Sequence, residues 1–341
     1  MLWVLVILSS LTMSLSRSTH VDLAISKQAI GKLKAKYLAW GGLIYAMEQA
    51  RIDAEDAQSN TKDNLYYCGI RVSQGQSPEQ LFQNRILGDG HFEVSYQVKL
   101  NGERKTYYGM QDEERLINLN ALNVQSVNVV SSLLELLGYD KELAKTISYS
   151  MLDWKDEDKV LSEQQYGAED DYYAGASAGY KTKNYLFESF DELLLVRGVT
   201  KDILKAIRPF VTVYGRNEVL RVNFETASET VLKALARAQT EFNPTVSVAD
   251  ADTMVGKLVS YRRGDDGVDF TEDDRAIELA EDANLNTPEQ MIFYAMSQFR
   301  TRQSEYLRIR VKGVADDYNI QDRIEAVIQR ADSAIISWVR N

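Results

Sequence analysis

The sequence predicts an α+β chain: a long N-terminal helix laid on an antiparallel sheet, with a large all-α domain inserted between the early and late strands of that sheet. Three observations carry the prediction. Helical periodicity runs without a proline from Met1 to roughly Ala57, the first proline being Pro78. Apolar and polar residues then alternate from Phe92 to Leu100, the period of two that marks a strand with one buried face. That alternation returns only at Leu307, Ile309 and Val311, after a stretch from Met110 to about Gln298 whose pattern is helical. The expected division is 1–20 for an apolar helix segment, 21–109 for the rest of the helix and the first strands, 110–299 for the inserted helical domain and 300–341 for the closing strands.

Met1 to Leu15 (MLWVLVILSSLTMSL) is apolar or hydroxylated, with no charge before Arg17. That is the makeup of a membrane segment or a secretory h-region, although it is shorter than the ~20 residues a span needs and lacks the basic n-region of a signal peptide. Leu23, Ile30, Leu33, Tyr37, Trp40, Ile44 and Met47 then recur at helical spacing, with Lys32, Lys34, Lys36 and Glu48 on other faces. A single rod of about 80 Å is expected at ~1.5 Å per residue, half in lipid and half on a soluble domain. The alternative is a plain signal anchor followed by a separate helix.

After an Asn-, Asp- and Ser-rich break at Asp56–Asn64, Leu65–Val72 reads as a short strand. Ser77-Pro78-Glu79-Gln80 opens a short helix as a capping box with proline in the first turn. Asn101-Gly102 is a tight-turn signal joining the Phe92–Leu100 strand to one running through Tyr107. Helical runs come next at Ile117–Leu137 and Leu143–Trp154, with helix starts at Ser189-x-x-Glu192 and Thr287-Pro288-Glu289-Gln290. Leu193–Val199 (LLLVRGV), a helix from Asp202 toward Ile207, and Val211–Tyr214 resemble a SAM-like or helix-hairpin-helix module. DNA-binding versions offer glycine amides to phosphate, but here Gly198 is followed by Val199 and Thr200, and Glu188, Asp191 and Glu192 lie just upstream. A structural or protein-binding module fits better. Arg323–Arg330 and Ile335–Arg340 supply two closing strands.

With 341 residues and 38.7 kDa, the chain is long enough for two domains or one with a large insertion. Lys and Arg number 39 against 50 Asp and Glu, a net charge of −11, so the overall field repels phosphate backbones and anionic lipid. A single cysteine, Cys68, cannot form an internal disulfide, and with only His20 and His91 beside it no Cys/His zinc cage can be assembled. No G-x-S-x-G elbow, Walker A loop or G-x-G-x-x-G after a strand is present. Paired-carboxylate hydrolysis would need a buried pair and a substrate cleft, which consecutive acids on a loop do not indicate. A calcium-dependent secreted hydrolase and a membrane-anchored DNA-binding protein of an uptake system are the competing functional classes.

The chemistry gathers in two acidic segments. Asp153, Asp156, Glu157 and Asp158 end one helical run, and Glu169, Asp170 and Asp171 come after a polar loop containing Gly167. Calcium takes six to eight hard oxygen ligands, which these segments could provide while relieving their mutual repulsion; a solvated acidic loop is the bland alternative. Trp154, Tyr172 and Tyr173 read as packing residues beside that loop. A second acidic stretch, Asp265 to Glu272 with Gly267, fails the EF-hand register, because Arg262 and Gly264 fall where the first and third ligands belong, and it reads as a polar turn before a helix.

The chain resembles the K-type minor pseudopilins of type II secretion systems over nearly its whole length. The resemblance is carried by Ala35-Lys36-Tyr37-Leu38-Ala39-Trp40-Gly41-Gly42, by Tyr108-Gly109-Met110-Gln111-Asp112-Glu113-Glu114 with Ile117-Asn118-Leu119-Asn120, and by Leu152-Asp153-Trp154-x-Asp156-x-Asp158. It continues in Gly167-Ala168-Glu169-Asp170-Asp171-Tyr172-Tyr173, Phe187-Glu188-Ser189-Phe190-Asp191-Glu192-Leu193, Leu195-Val196-Arg197-Gly198-Val199, Thr212-Val213-Tyr214-Gly215 and Val222-Asn223-Phe224-Glu225-Thr226-Ala227-Ser228. It implies a pilin-like fold interrupted by a helical domain and a non-enzymatic role at the tip of the pseudopilus. It also implies assembly with minor pseudopilins I and J through the helix face of Leu33, Tyr37, Trp40, Ile44 and Met47, with the outer-membrane secretin and cargo proteins as further contacts and no nucleic acid. The expected location is the inner membrane through the N-terminal helix, with the soluble part in the periplasm. Calcium in the helical domain is a further implication, with Asp153, Asp156, Asp158, Glu169 and Asp170 as ligands and Asp171 in reserve. A prepilin of this kind begins with a short basic leader ending in glycine. That leader is not in this sequence, so a processed chain or one read from a downstream start is expected, subject to the family's prepilin processing and methylation. The K-type members also lack the acid that other pilins carry near the mature terminus, and here the first acid is Asp22.

Overall fold

The computed structural model describes residues 2–56, 77–100, 102–175, 179–215, 218–269, 271 and 273–340. The strand expected at Leu65–Val72, Cys68 and Asn101 of the hairpin turn lie outside them. In chain order the elements are α1 (Leu2–Asp56), α2 (Pro78–Phe82), β1 (Arg85–Leu87), β2 (Gly90–Leu100), β3 (Glu103–Tyr108) and β4 (Gln111–Asp112). Then come β5 (Ile117–Asn118), α3 (Val127–Leu136), α4 (Lys141–Lys155), α5 (Asp170–Ala174), α6 (Lys201–Ile207), β6 (Val211–Thr212) and β7 (Val222–Asn223). The chain closes with α7 (Glu229–Thr240), α8 (Val248–Arg262), α9 (Thr287–Met296), β8 (Arg300–Thr301), β9 (Tyr306–Ala315), β10 (Ile320–Gln329) and β11 (Ile335–Arg340).

The main sheet runs β1-β2-β9-β10-β11, with β3 paired to β2 and β4 to β9, and every pairing in it is antiparallel. The α+β class expected from the alternating pattern is therefore the one observed: the early strands β2 and β4 pair end to end along one edge of the late strand β9, β10 takes its other edge, and the helical block lies between the early and late strands in sequence. The β2–β3 hairpin forms as its pattern predicts, with Gly102 at φ +89° in the turn. α2 is closed by the predicted box, in which the Gln80 amide donates to Ser77 Oγ and the Ser77 amide to Gln80 Oε1.

The face of α1 that meets the sheet is not the one its large apolar residues suggest. Ala35, Leu38, Ala39, Leu43, Ala46 and Ala50 are buried, with Gly31 and Gly42 among them, whereas Leu33, Tyr37 and Ile44 are more than half exposed. Small residues are needed because helix and sheet approach at backbone distance. A Cβ on Gly42 would lie 2.6 Å from Val311 Cγ1 and 2.7 Å from Phe92 Cδ2, and one on Gly313 of β9 would lie 2.5 Å from the Ala35 carbonyl and overlap the Ala39 amide. Residues 2–30 contact none of this core and are exposed throughout, a free rod of about 45 Å at ~1.5 Å per residue.

The helical block has its own core, reaching from Ile117 through Phe224 and Leu258 to Phe299, in which α3 packs on α4 and α7, and α7 on α8 and α9. Ile117–Leu137 is not one helix: Ile117–Asn118 pairs in parallel with Val211–Thr212, and α3 begins only at Val127. The asparagines divert the backbone, since Asn118 Oδ1 accepts the Asn120 amide at 2.9 Å, and Asn120 Nδ2 donates to the Phe187 and Val213 carbonyls at 2.9 and 2.7 Å. Helix α9 is capped by Asn286, one residue before the expected Thr287, in a box with Glu289. Ser189 makes no capping bond, and the segment after it, Phe190–Leu195, is a 3-10 turn, because Glu192 is engaged by the Glu188 amide and by Lys183 at 2.8 Å. The described residues of the Asp265–Glu272 stretch form a polar turn that comes after α8 and does not lead directly into a helix; Asp273 Oδ2 accepts the Asp265 and Asp266 amides at 2.7 and 3.1 Å.

Buried ion pairs tie the two cores together. Glu113 is 1 % exposed and accepts from Arg308 of β9 at 2.5 and 2.9 Å and from the Thr212 hydroxyl at 2.6 Å. Beside it Asp112 accepts from Asn223 Nδ2 at 2.9 Å, and Glu225 pairs with Arg300 at 2.9 Å. Three of the motif segments, Gln111–Glu114, Thr212 and Asn223–Thr226, thus serve one joint.

Candidate functional site: an acidic loop and an exposed helix face

The C-terminal end of α4 and the start of α5 enclose the acidic loop. Asp140 caps the N-terminus of α4, accepting the Glu142 and Leu143 amides at 3.0 and 3.3 Å, which fixes the register that sends Asp153 inward three turns later. Asp153 is fully buried; its Oδ1 accepts the Ser162 amide at 2.9 Å and its Oδ2 the Ala168 amide at 2.8 Å. It therefore staples the two acidic segments to each other. Gly167 is required beside it, since a Cβ there would overlap Asp153 Oδ2. Arg197 adds a second tie, donating through Nη1 to the Gly167 carbonyl at 2.9 Å and stacking its guanidinium over Tyr172, while its amide donates to the Tyr173 hydroxyl. Trp154, Tyr173 and Tyr180 pack edge-on and tilted beneath, with ring centroids 5.1 to 6.0 Å apart, as packing residues should.

The staple brings Asp156, Asp158 and Glu169 together, with one carboxylate oxygen of each lying within 4.8 Å of the others. Oδ1 of Asp156 and Oε1 of Glu169 are buried and receive no hydrogen bond among the described residues. Burial, with Asp158, Asp153 and Glu169 nearby, pushes the Asp156 carboxyl up to about 7. Burial likewise raises Glu169 to about 6, with Asp153 and Asp158 adding to it against the hydrogen bond from Thr182. Asp153 is also raised, by burial first. Three carboxylates crowded at such cost, with two orphan oxygens turned inward, form an oxygen-only donor set suited to a hard divalent cation such as calcium. The remaining predicted ligands are engaged elsewhere or stand apart. Asp170 accepts from the Thr182 hydroxyl at 2.8 Å and its amide at 3.1 Å and pairs with Lys159 at 3.2 Å, and Asp171 is exposed in the first turn of α5. Thr182, whose hydroxyl also donates to Glu169 Oε2 at 3.2 Å, carried no signal in the sequence.

Residues 115–216, which hold this site, match the family model of type II secretion system protein K. Type II secretion system protein K of Klebsiella pneumoniae is 27 % identical over 241 residues, covering 66 % of this chain and 65 % of the relative. That of Aeromonas hydrophila is 28 % identical over 241 residues, covering 66 % of each. Over these stretches the chain is similar to type II secretion system protein K. The matches span just under two thirds of those two relatives' length. In fold the chain is similar to a chain of the crystal structure of the GspK-GspI-GspJ complex from the enterotoxigenic Escherichia coli type 2 secretion system, with a TM-score of 0.60 over 93 % of this chain and 99 % of that one at 14 % identity.

The second feature is α1. By length and composition alone, it contains a stretch long and apolar enough to cross a membrane, and that stretch is unburied. Further along, Leu33, Tyr37 and Ile44 form an exposed row at helical spacing. Trp40 and Met47, assigned to the same row from sequence, are half-buried: Trp40 stacks on Trp338 of β11 with centroids 5.7 Å apart, and Met47 packs on the sheet core.

Proposed function

We propose that the chain is a minor pseudopilin that is anchored in the inner membrane by the first half of α1, assembles with minor pseudopilins I and J at the tip of the pseudopilus, and does no chemistry. The observation that carries the reading is the geometry of α1 in a protein K fold: residues 2–30 stand free, and the exposed Leu33–Tyr37–Ile44 row continues them along a helix whose opposite face is already committed to its own sheet. The free half suits lipid before assembly and neighbouring helices after it. The helical block, larger than the sheet that bears it, is a natural stop to further addition. The complex named for the similar structure joins a K subunit to I and J subunits, and the same partners are assigned here.

The test is light scattering on a chain lacking residues 2–20, whose removal takes no buried contact, mixed with soluble fragments of its I and J candidates. A complex holding one copy of each supports the assignment. A folded chain that stays monomeric beside both partners overturns it.

Calcium is the second part of the reading. Asp156, Asp158 and Glu169 would hold the ion, with Asp153 placing the loops and Thr182 orienting Glu169. The ion would lock the α4–α5 connection, contributing RT ln(1 + [L]/Kd) to folding because only the native loop gathers the ligands. Identical melting in calcium and in chelator would remove this assignment.

A further inference from the structure

The face of the sheet turned away from α1 holds a cleft that the pseudopilin reading does not use. The alternation that buries Ile309, Val311 and Ile324 against the helix turns Arg308, Arg310 and Lys312 of β9 and Arg323 of β10 to the other side. Together with the start of the helical block and the end of α6, they line a cleft of about 1110 Å³. In a chain of net charge −11 this cleft is basic: six Arg or Lys line it against Glu93 and Glu325.

Three of these cations are already matched. Lys312 pairs with Glu93 at 2.9 Å, Arg310 with Glu325 at 2.7 Å, and Arg308 with the buried Glu113. The other three make no salt bridge among the described residues, although Arg115 lies in the field of Asp112 and Glu113. Arg323 stands directly opposite Lys312 in the β9–β10 register, a like-charge cross-strand pair that Glu93 offsets only on the Lys312 side. Arg323 and Arg208 have no carboxylate partner among the described residues, and Arg208 rests on the Phe190 ring. Arg115, deeper in, keeps a buried Nε with no hydrogen-bond acceptor among the described residues.

The geometry points to a binding site for an acidic peptide segment, with carboxylates received by Arg115, Arg208 and Arg323 and side-chain stems lying against Phe190 and Tyr214. The three guanidinium groups come from three separate elements around one large cleft, so a single small anion would leave most of them unsatisfied, whereas an extended chain with spaced carboxylates can meet them all. Nucleic acid carries the same sign of charge and is the competing ligand in the experiment below.

The experiment is fluorescence anisotropy of a labelled Asp/Glu-rich peptide with the full chain in non-ionic detergent, calcium present. Binding is expected to exceed that of the matching Asn/Gln peptide and to weaken roughly tenfold, about 1.4 kcal/mol, in Arg208→Gln with Arg323→Gln. Both residues are exposed, so the double variant should melt like the parent; if it does not, Arg323→Gln alone serves, with a loss of about threefold expected. Lys201→Gln with Lys205→Gln, the same charge change on α6, should leave binding unchanged. Equal affinity for the neutral peptide, equal loss in the lysine control, displacement by inorganic phosphate at the peptide's own concentration, or tighter binding of single-stranded DNA would each overturn the proposal.

Discussion

Gly313 shows how much one missing side chain decides. The Ala39 amide and Ala35 carbonyl of α1 occupy the space a Cβ would need, and backbone cannot turn aside as a side-chain tip can. Gly313→Ala should therefore lower stability by about 1–3 kcal/mol, the usual cost of overpacking a dense core, read as a lower melting temperature; an unchanged melt would mean that helix and sheet do not meet this closely. The acidic loop is argued at the same scale. Asp153 binds two amides, so Asp153→Ala should destabilise the fold with or without calcium, whereas Asp156→Ala should lower the melting temperature only when calcium is supplied. The pH dependence in chelator is set by the direction of the shifts. Asp156 and Glu169 sit above their ordinary values, at about 7 and about 6, so their favourable protonated state is complete in acid and is lost as pH rises through those values. Stability in chelator should fall between about pH 4 and 7, Asp156→Asn should flatten much of that fall, and a fall of equal size in the variant would refute the crowded-carboxylate account. The sequence showed that this loop would be acidic. It did not show which acids remain free, because that depends on where the chain between Ser162 and Ala168 returns to Asp153, and the return is set by tertiary packing.

Among the elements, legibility tracked how far the local pattern had to compete. The β2–β3 hairpin and β9 combine a strict period of two with a cross-strand register that buries one face, so nothing opposes the local signal. The Ile117–Leu137 segment looked helical from its leucines and valines, but its asparagine side chains bond distant segments, Asn118 to Tyr214 and Gly215 and Asn120 to Phe187 and Val213, that no local reading contains. On α1 the face that meets the sheet gave no signal, because of its composition: the buried stripe is alanine and glycine, which scarcely register as hydrophobic, while Leu33, Tyr37 and Ile44 point outward. The joint between the cores is also an element-scale device. Burial works against the charged form of Glu113, yet Arg308 and Arg115 hold it below its ordinary value, so the joint's contribution is present at neutral pH and is lost as pH falls through that lowered value. Glu113→Ala should cost about 3 kcal/mol, and the double variant with Arg308→Ala should cost less than the sum of the singles, since removing both partners leaves no unpaired buried charge; strict additivity in denaturant melts would show that the pair does not act as a unit.

Across the whole molecule, α1 divides its labour by face and by length. Along the half that meets the sheet, one side is saturated by Gly313, Val311 and Phe92, and the other offers Leu33, Tyr37 and Ile44 to whatever lies beside it. A charge placed on the two sides should therefore have different consequences. Leu43→Asp puts a carboxylate into a fully buried position with no partner and should prevent folding of the sheet domain. Leu33→Asp and Ile44→Asp place it in solvent, so each variant should melt within a degree or two of the parent, about 0.5 kcal/mol or less. In the filament proposed above, the same two substitutions would bury that charge against a neighbouring helix, and incorporation should be abolished. Melting and incorporation measured on the same variants separate the two effects: loss of assembly with an intact fold assigns the exposed row to a partner, and normal incorporation of either variant would assign the row to solvent and shift the search for the contact surface to the sheet.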